Sequence, residues 1–219
     1  MSARSTKWIQ AGLLALPLYG LLTIWSTWEP QPDQNVDTEA WAQFVSSSSY
    51  VINHTVGAVG GAVVAIFGVV ALGAYLANGR AGRMALWGMV MAVVGHALGI
   101  AIGAISAFAT PAIGRLYLAG TTDVMQMEFP AALTPTFMVA LVLMFVGNVL
   151  LGVAVWRSDT LPKWSGALWV ASALVFYILG AAAGMATTGS SLPTQPIGAA
   201  LMVVGGAWIA WSAFRSRSL

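Results

Sequence analysis

"AALTPTFMVALVLMFVGNVLLGVAVW", residues 131–156, holds no charged group and a single mid-run amide, Asn148, before Arg157 ends it. A bilayer core about 30 Å thick needs about 20 consecutive apolar residues to be crossed by a helix. The run is continuous and rich in Leu, Val, Ala and Gly, without the two-residue alternation of a membrane barrel strand. Lipid offers no partner to an unpaired backbone group, so such a segment is a membrane-spanning helix. Outward from it, five more stretches of the same kind occur at about 8–28, 47–77, 84–108, 164–187 and 195–213. Composition agrees, with 58% hydrophobic and only 7% charged residues and a mean hydropathy of +0.81; a soluble domain carries about 25% charged residues. The expected fold is all-α: a polytopic membrane protein, six transmembrane helices in a single bundle over residues 1–219.

Basic residues orient the bundle. With the N-terminus in the cytoplasm, Arg4, Lys7, Arg80, Arg83, Arg157, Lys163, Arg215 and Arg217 share the cytoplasmic side, eight of the nine Lys and Arg, and Arg115 alone lies outside. Glu29, Asp33, Asp37, Glu39, Asp123 and Glu128 then face out and Asp159 faces in. Both termini are expected in the cytoplasm, in a bacterial inner (plasma) membrane. The first stretch begins "MSARSTK", like a secretory signal, but runs to Trp28 with no small-residue cleavage site before "EPQPD", so it is read as a span. The pI near 9.2 follows from these cytoplasmic anchors, and no nucleic acid is expected as a partner, because there is no contiguous basic stripe with interleaved aromatics.

Zero cysteines remove thiolate metal sites, iron–sulfur clusters and cysteine nucleophiles. Every acidic residue lies in a loop, so no Ser/His/Asp arrangement is suggested, and no phosphate-binding loop motif occurs. No catalytic residue, metal or cofactor is assigned.

The two histidines share the pattern His-x-x-Gly-x-x-x-Gly, in "HTVGAVGG" (54–61) and "HALGIAIG" (96–103). Counted from the shared "NGRAGR" turn, straight helices would set Gly57 level with Gly103 and Gly61 with Gly99, a close small-on-small crossing. His54 would lie about ten residues, roughly 15 Å, from the level of His96. That offset disfavours one haem held by both, since axial imidazoles flank one iron through bonds of about 2 Å. A haem on a single His, or one shared between subunits, remains an alternative. The pattern recurs in "YILGAAAG" as Tyr177, Gly180 and Gly184, suggesting a duplicated hairpin, with Gly180 level with Ala140 and Gly184 with Thr136. His96, Tyr177 and Asn148 are candidates for a mid-membrane polar cavity. His54, Tyr50 and Asn53 are candidates for one nearer the outer side. The bland alternative for His96, Tyr177 and Asn148 is that each satisfies a backbone carbonyl across a helix interface, and for His54 that it is an interfacial residue beside "SSSSY" and Asn53.

Between the first two spans, "VDTEAWAQFV" predicts an interfacial helix over about 37–46, with Asp37 as N-cap and Val36, Ala40, Trp41, Phe44 and Val45 on one face. Thr110 to Pro130 reads as a loop whose "DVMQMEF" forms a strand or turn, a poor soft-metal site with two methionines and no His nearby. Nine of the ten tryptophans, all but Trp169, fall near span ends, as interfacial anchors do.

"LGVAVWRSDTLPKWSGALWVASALVFYILG", residues 151–180, resembles the helix-turn-helix segment of a family of uncharacterised bacterial multi-pass membrane proteins. In that family an apolar helix ends in Trp or Tyr-Arg-Ser, a Leu-Pro-[Lys/Arg]-Trp turn follows and a second apolar helix begins. The resemblance implies a bacterial inner-membrane helical bundle and carries no catalytic residues.

Two expectations about function follow. The first is a non-catalytic membrane component, a subunit of a larger assembly or a homo-oligomer, docking through Gly147, Gly152, Gly205 and Gly206. The second is a bundle that binds or conducts a small apolar or weakly polar molecule. The lipid bilayer is a partner in either case.

Overall fold

The computed structural model describes residues 3–187 and 192–215; Arg217, counted above among the cytoplasmic basic residues, lies outside them. Helix α1 spans Lys7–Thr27 and is followed by the short α2, Thr38–Ser46. The remaining helices are α3 Ser48–Leu76, α4 Gly82–Leu118, α5 Leu133–Arg157, α6 Lys163–Thr187 and α7 Thr194–Arg215. All but α2, six in number, are long and apolar enough to cross a membrane. No strand occurs among the described residues.

The six long helices close into a ring in which each packs on its neighbours in the order α1, α3, α4, α5, α6, α7, with α7 returning to α1. Small residues set the contacts, as expected where lipid is no less apolar than the helix faces and dispersion between close backbones must hold them. On α5, a Cβ at Gly147 would land on the backbone nitrogen of Ala92 in α4, and one at Gly152 would come within 2.9 Å of the Gly166 carbonyl in α6. In the seam between the first and last helices, Gly20 fits against Val203 and Gly206 against Leu16 and Pro17. There the Gln10 amide donates to the Ala213 carbonyl at 2.6 Å.

These contacts revise the expected pairings. Gly57 meets Leu22 and Ser26 of α1, not Gly103, and Gly61 also faces Leu22. Gly99 lies over the tip of Met144 in α5, and Gly103 faces Val59. Gly180 meets Gln195 at the start of α7 rather than Ala140, while Gly184 is buried. Gly147, Gly152 and Gly206 are occupied within the chain, and Gly205 stands 3.5 Å from the Trp169 backbone by the same measure. Level counting assumes straight α-helices, and these are not. Wide π-type turns at Asn53–Gly60 in α3 and Ile105–Ala109 in α4 shift the register in the very arms being compared. In addition α3 lies between α1 and α4, so its glycines have two faces to choose from.

A further correction concerns residues 110–118. The span expected to end near 108 continues as helix to Leu118, with Pro111 in the first turn after the π-type segment, where a missing N–H is tolerated. Packing explains the extension. α2 lies across it, burying Trp41, Ala42 and Val45 with Tyr50, against Ile113 and Tyr117. Asp37 caps α2 by accepting from the Ala40 amide at 2.9 Å. Val36 stays 83% exposed and so is not part of the buried face. The "DVMQMEF" segment begins as a single 3-10 turn, Thr122–Gln126.

Candidate functional site

Among the described residues, six polar side chains are buried in the bundle: Gln10, Thr23, His96, Asn148, Ser165 and Ser172. A polar group in an apolar interior costs free energy unless it is hydrogen-bonded, so their partners identify what the core is built to hold. Ser165 and Ser172 donate back to carbonyls three residues earlier, Pro162 and Trp169. Asn148 does more. Its amide donates to the Met144 carbonyl at 2.8 Å and to the Tyr177 hydroxyl at 3.5 Å, and its oxygen accepts from the Trp169 indole N–H at 3.1 Å. Tyr177 in turn lies 3.1 Å, hydroxyl to hydroxyl, from Tyr19. The result is a polar line from α6 through α5 and back through α6 to α1.

Tyr19 ends the line, and its bond to Tyr177 can run in either direction, because the Tyr177 hydroxyl has two lone pairs and can accept from Asn148 and Tyr19 alike. His96 stands beside that end, its ring edge-on to the Tyr19 ring with centroids 5.4 Å apart. The His96 Nδ1–H donates to the Ala92 carbonyl at 2.7 Å, since a carbonyl can only accept. In the neutral ring this leaves Nε2 as a bare acceptor, and Nε2 is buried with no partner.

Tyr19 and His96 both line one cavity of about 230 Å³. Tyr19, Thr23, Ser26 and Thr27 line it along α1, and His96, Met144, Phe176 and Tyr177 line it from the other side. Gln195, at the start of α7, also reaches it. The wall on α6 is a π-type turn, Leu174–Ala182, whose irregular backbone turns the adjacent Phe176 and Tyr177 both into the interior. Such a turn disturbs the regular pairing of carbonyls, and here two of them are satisfied from outside the helix. Leu179 accepts from the Thr194 hydroxyl at 2.8 Å and Gly180 from the Leu192 amide at 3.1 Å.

Of the candidates read from sequence, the structure brings together His96 and Tyr177 on the cavity wall, with Asn148 bonded behind Tyr177. It sets Tyr50, His54 and Asn53 apart. The His54 ring stacks on Tyr50 at 3.8 Å, and its Nδ1–H donates to the Tyr50 carbonyl at 3.0 Å. Asn53 lines a different groove with Trp25, Trp28 and Glu29. No group of three or more His, Cys, Asp and Glu side chains forms a metal-holding cluster among the described residues. Sequence reasoning missed Tyr19, Thr23 and Trp169. A signal existed for Trp169, the one tryptophan away from the span ends. Tyr19 offered only a lone mid-span hydroxyl.

No curated protein and no solved structure matches the chain. A family model described as "Domain of unknown function (DUF4386)" matches residues 11–214, nearly the whole of the fold just described, and the chain belongs to that family.

Proposed function

We propose that this protein is a non-catalytic integral membrane protein that binds a small, weakly polar molecule in the cavity between Tyr19, His96 and Tyr177. The observation that carries this is the buried, unpartnered Nε2 of His96. Leaving a buried acceptor unsatisfied costs about 1–3 kcal/mol, and a ligand that donates to it recovers that cost. The adjacent Tyr19 hydroxyl can donate or accept, so a group able to do both, as an alcohol or phenol is, complements the pair. Phe137, Leu141, Met144 and Phe176 suit an apolar body attached to it. The eight-to-one division of basic residues supports an inner-membrane setting with both termini in the cytoplasm.

A role as a packing subunit draws on Gly147, Gly152, Gly205 and Gly206. Contacts inside the chain occupy three of these and border the fourth, which is why ligand binding leads. The test is to purify the protein in mild detergent, extract it with organic solvent and identify bound small molecules by mass spectrometry. A hydroxyl-bearing compound is expected in stoichiometric amount from wild type, reduced in His96→Gln and lost in His96→Leu. Equal extracts from all three would refute the proposal. Stoichiometric copurifying chains with an empty cavity would favour the subunit role.

A further inference from the structure

The opposite end of the bundle holds a second, chemically different cavity. The turn between α3 and α4 is tight: the Gly79 amide donates to the Leu76 carbonyl at 2.9 Å and the Gly82 amide to the Gly79 carbonyl at 3.0 Å. A Cβ at Gly82 would collide with the Ala77 carbonyl, so only glycine fits there. This rigid turn presents Arg80 and Arg83, and Arg157 approaches from the end of α5, around one groove of about 520 Å³. Their positive charge is unbalanced. Asp159 borders a neighbouring cavity together with Arg80, yet none of the three arginines has an ion-pair partner among the described residues. The first turn of α4 at the same groove has no side-chain cap, which adds donors of the same electrostatic sign.

Tryptophans set the depth of this groove. Trp87, one helical turn from Arg83, is 67% exposed, and Trp164 is 60% exposed. Trp156 adjoins Arg157 and packs edge-on against Trp164 at 5.1 Å, with the Lys163 ammonium over both rings. Exposed indoles of this kind settle at the junction of hydrocarbon and headgroup. Arg83 and Arg157 lie within a helical turn of these indoles and Arg80 lines the same groove, which sets the three guanidinium groups at the level of lipid phosphates. Arginine, with its planar fork of donors, suits a phosphate held through two oxygens better than a lysine point charge does.

We propose that the Arg80, Arg83 and Arg157 groove binds the phosphate of an anionic phospholipid, whose chains descend past Trp87 and Trp156. The site is independent of the Tyr19 and His96 cavity. Basic pockets on the cytoplasmic side of membrane helices recognise anionic headgroups, each arginine near the surface contributing about a 5-fold gain in affinity and three together on the order of 100-fold.

The experiment titrates the full-length protein in detergent with phosphatidylglycerol, phosphatidylcholine or inorganic phosphate and counts bound lipids by native mass spectrometry. Wild type is expected to prefer phosphatidylglycerol over phosphatidylcholine by on the order of 100-fold. The triple variant Arg80→Gln, Arg83→Gln, Arg157→Gln should lose that preference, each single variant about 5-fold of it, while Arg115→Gln at the opposite end leaves it unchanged. Replacing the three arginines by lysine should retain a part, which separates loss of charge from loss of fold. Equal phosphatidylglycerol binding by wild type and a folded triple Gln variant would overturn the proposal. So would displacement of the lipid by inorganic phosphate at equal concentration, which would make the groove a site for soluble anions.

Discussion

The hydroxyls of Tyr19 and Tyr177 meet at 3.1 Å across 158 residues of sequence, joining the first long helix to the fifth. Both rings are buried. The pair is thus both a tie between helices and the last polar step before the Nε2 of His96.

That tie should be measurable as a coupling. Tyr19→Phe and Tyr177→Phe each remove one hydroxyl and keep the ring. Their melting-temperature effects in detergent should be less than additive in the double variant, by an interaction energy of about 0.6 kcal/mol, the scale found for hydrogen bonds between membrane helices. Strict additivity would show that the hydroxyls do not interact.

Asn148 is expected to be the costlier loss. Asn148→Leu leaves the Trp169 indole N–H without its acceptor in the core, at about 1–3 kcal/mol. Trp169 emission should shift as its bonded partner disappears, an effect best read in a variant whose other tryptophans are replaced by phenylalanine. An unchanged melting temperature with unchanged emission would contradict the bond.

Packing at the α4–α5 contact gives a sharper contrast. Gly147→Leu drives a side chain into the Ala92 backbone, whereas Gly99→Ala adds a methyl 3.6 Å from the mobile tip of Met144. The first should cost at least about 1–3 kcal/mol, as overpacking does, and the second close to nothing. Similar thermal shifts for the two would place the α4–α5 contact elsewhere.

The lack of any native cysteine makes orientation easy to test. A cysteine at Thr160 should be modified in spheroplasts only by membrane-permeant reagents, and cysteines at Gln34 and Thr121 by impermeant ones. Labelling of Gln34 solely from the cytoplasmic side would reverse the orientation inferred from the basic residues.

What the sequence made legible was whatever depends on the solvent. Helix number and approximate limits follow from the thickness of hydrocarbon a chain must cross, and the cap at Asp37 follows from local hydrogen bonding. Which faces meet was not legible in the same way. Where lipid and core are equally apolar, Phe67, 64% exposed, and Leu72, wholly buried, read alike in sequence. The π-type turns had no recognisable local signal, and they displaced the pairing expected for Gly57, Gly61, Gly99 and Gly103. His96, Asn148 and Tyr177 stood out because a polar atom in a long apolar run needs a reason. Thr23 did not, since its hydroxyl also returns to the carbonyl of Tyr19 at 2.8 Å, as countless helical threonines do.

The seam between α1 and α7 bears on how the chain is made. Ribosomal synthesis delivers α1 to the membrane first and α7 last, yet Gly20 rests on Val203 and Gln10 on Ala213. Until α7 emerges, the groove at Gly20 and the amide of Gln10 have only lipid, α3 or the insertion machinery beside them. A ribosome-bound nascent chain halted before residue 194 should therefore hold α1 in a state open to crosslinking at Gly20, and release of the full-length chain should close it.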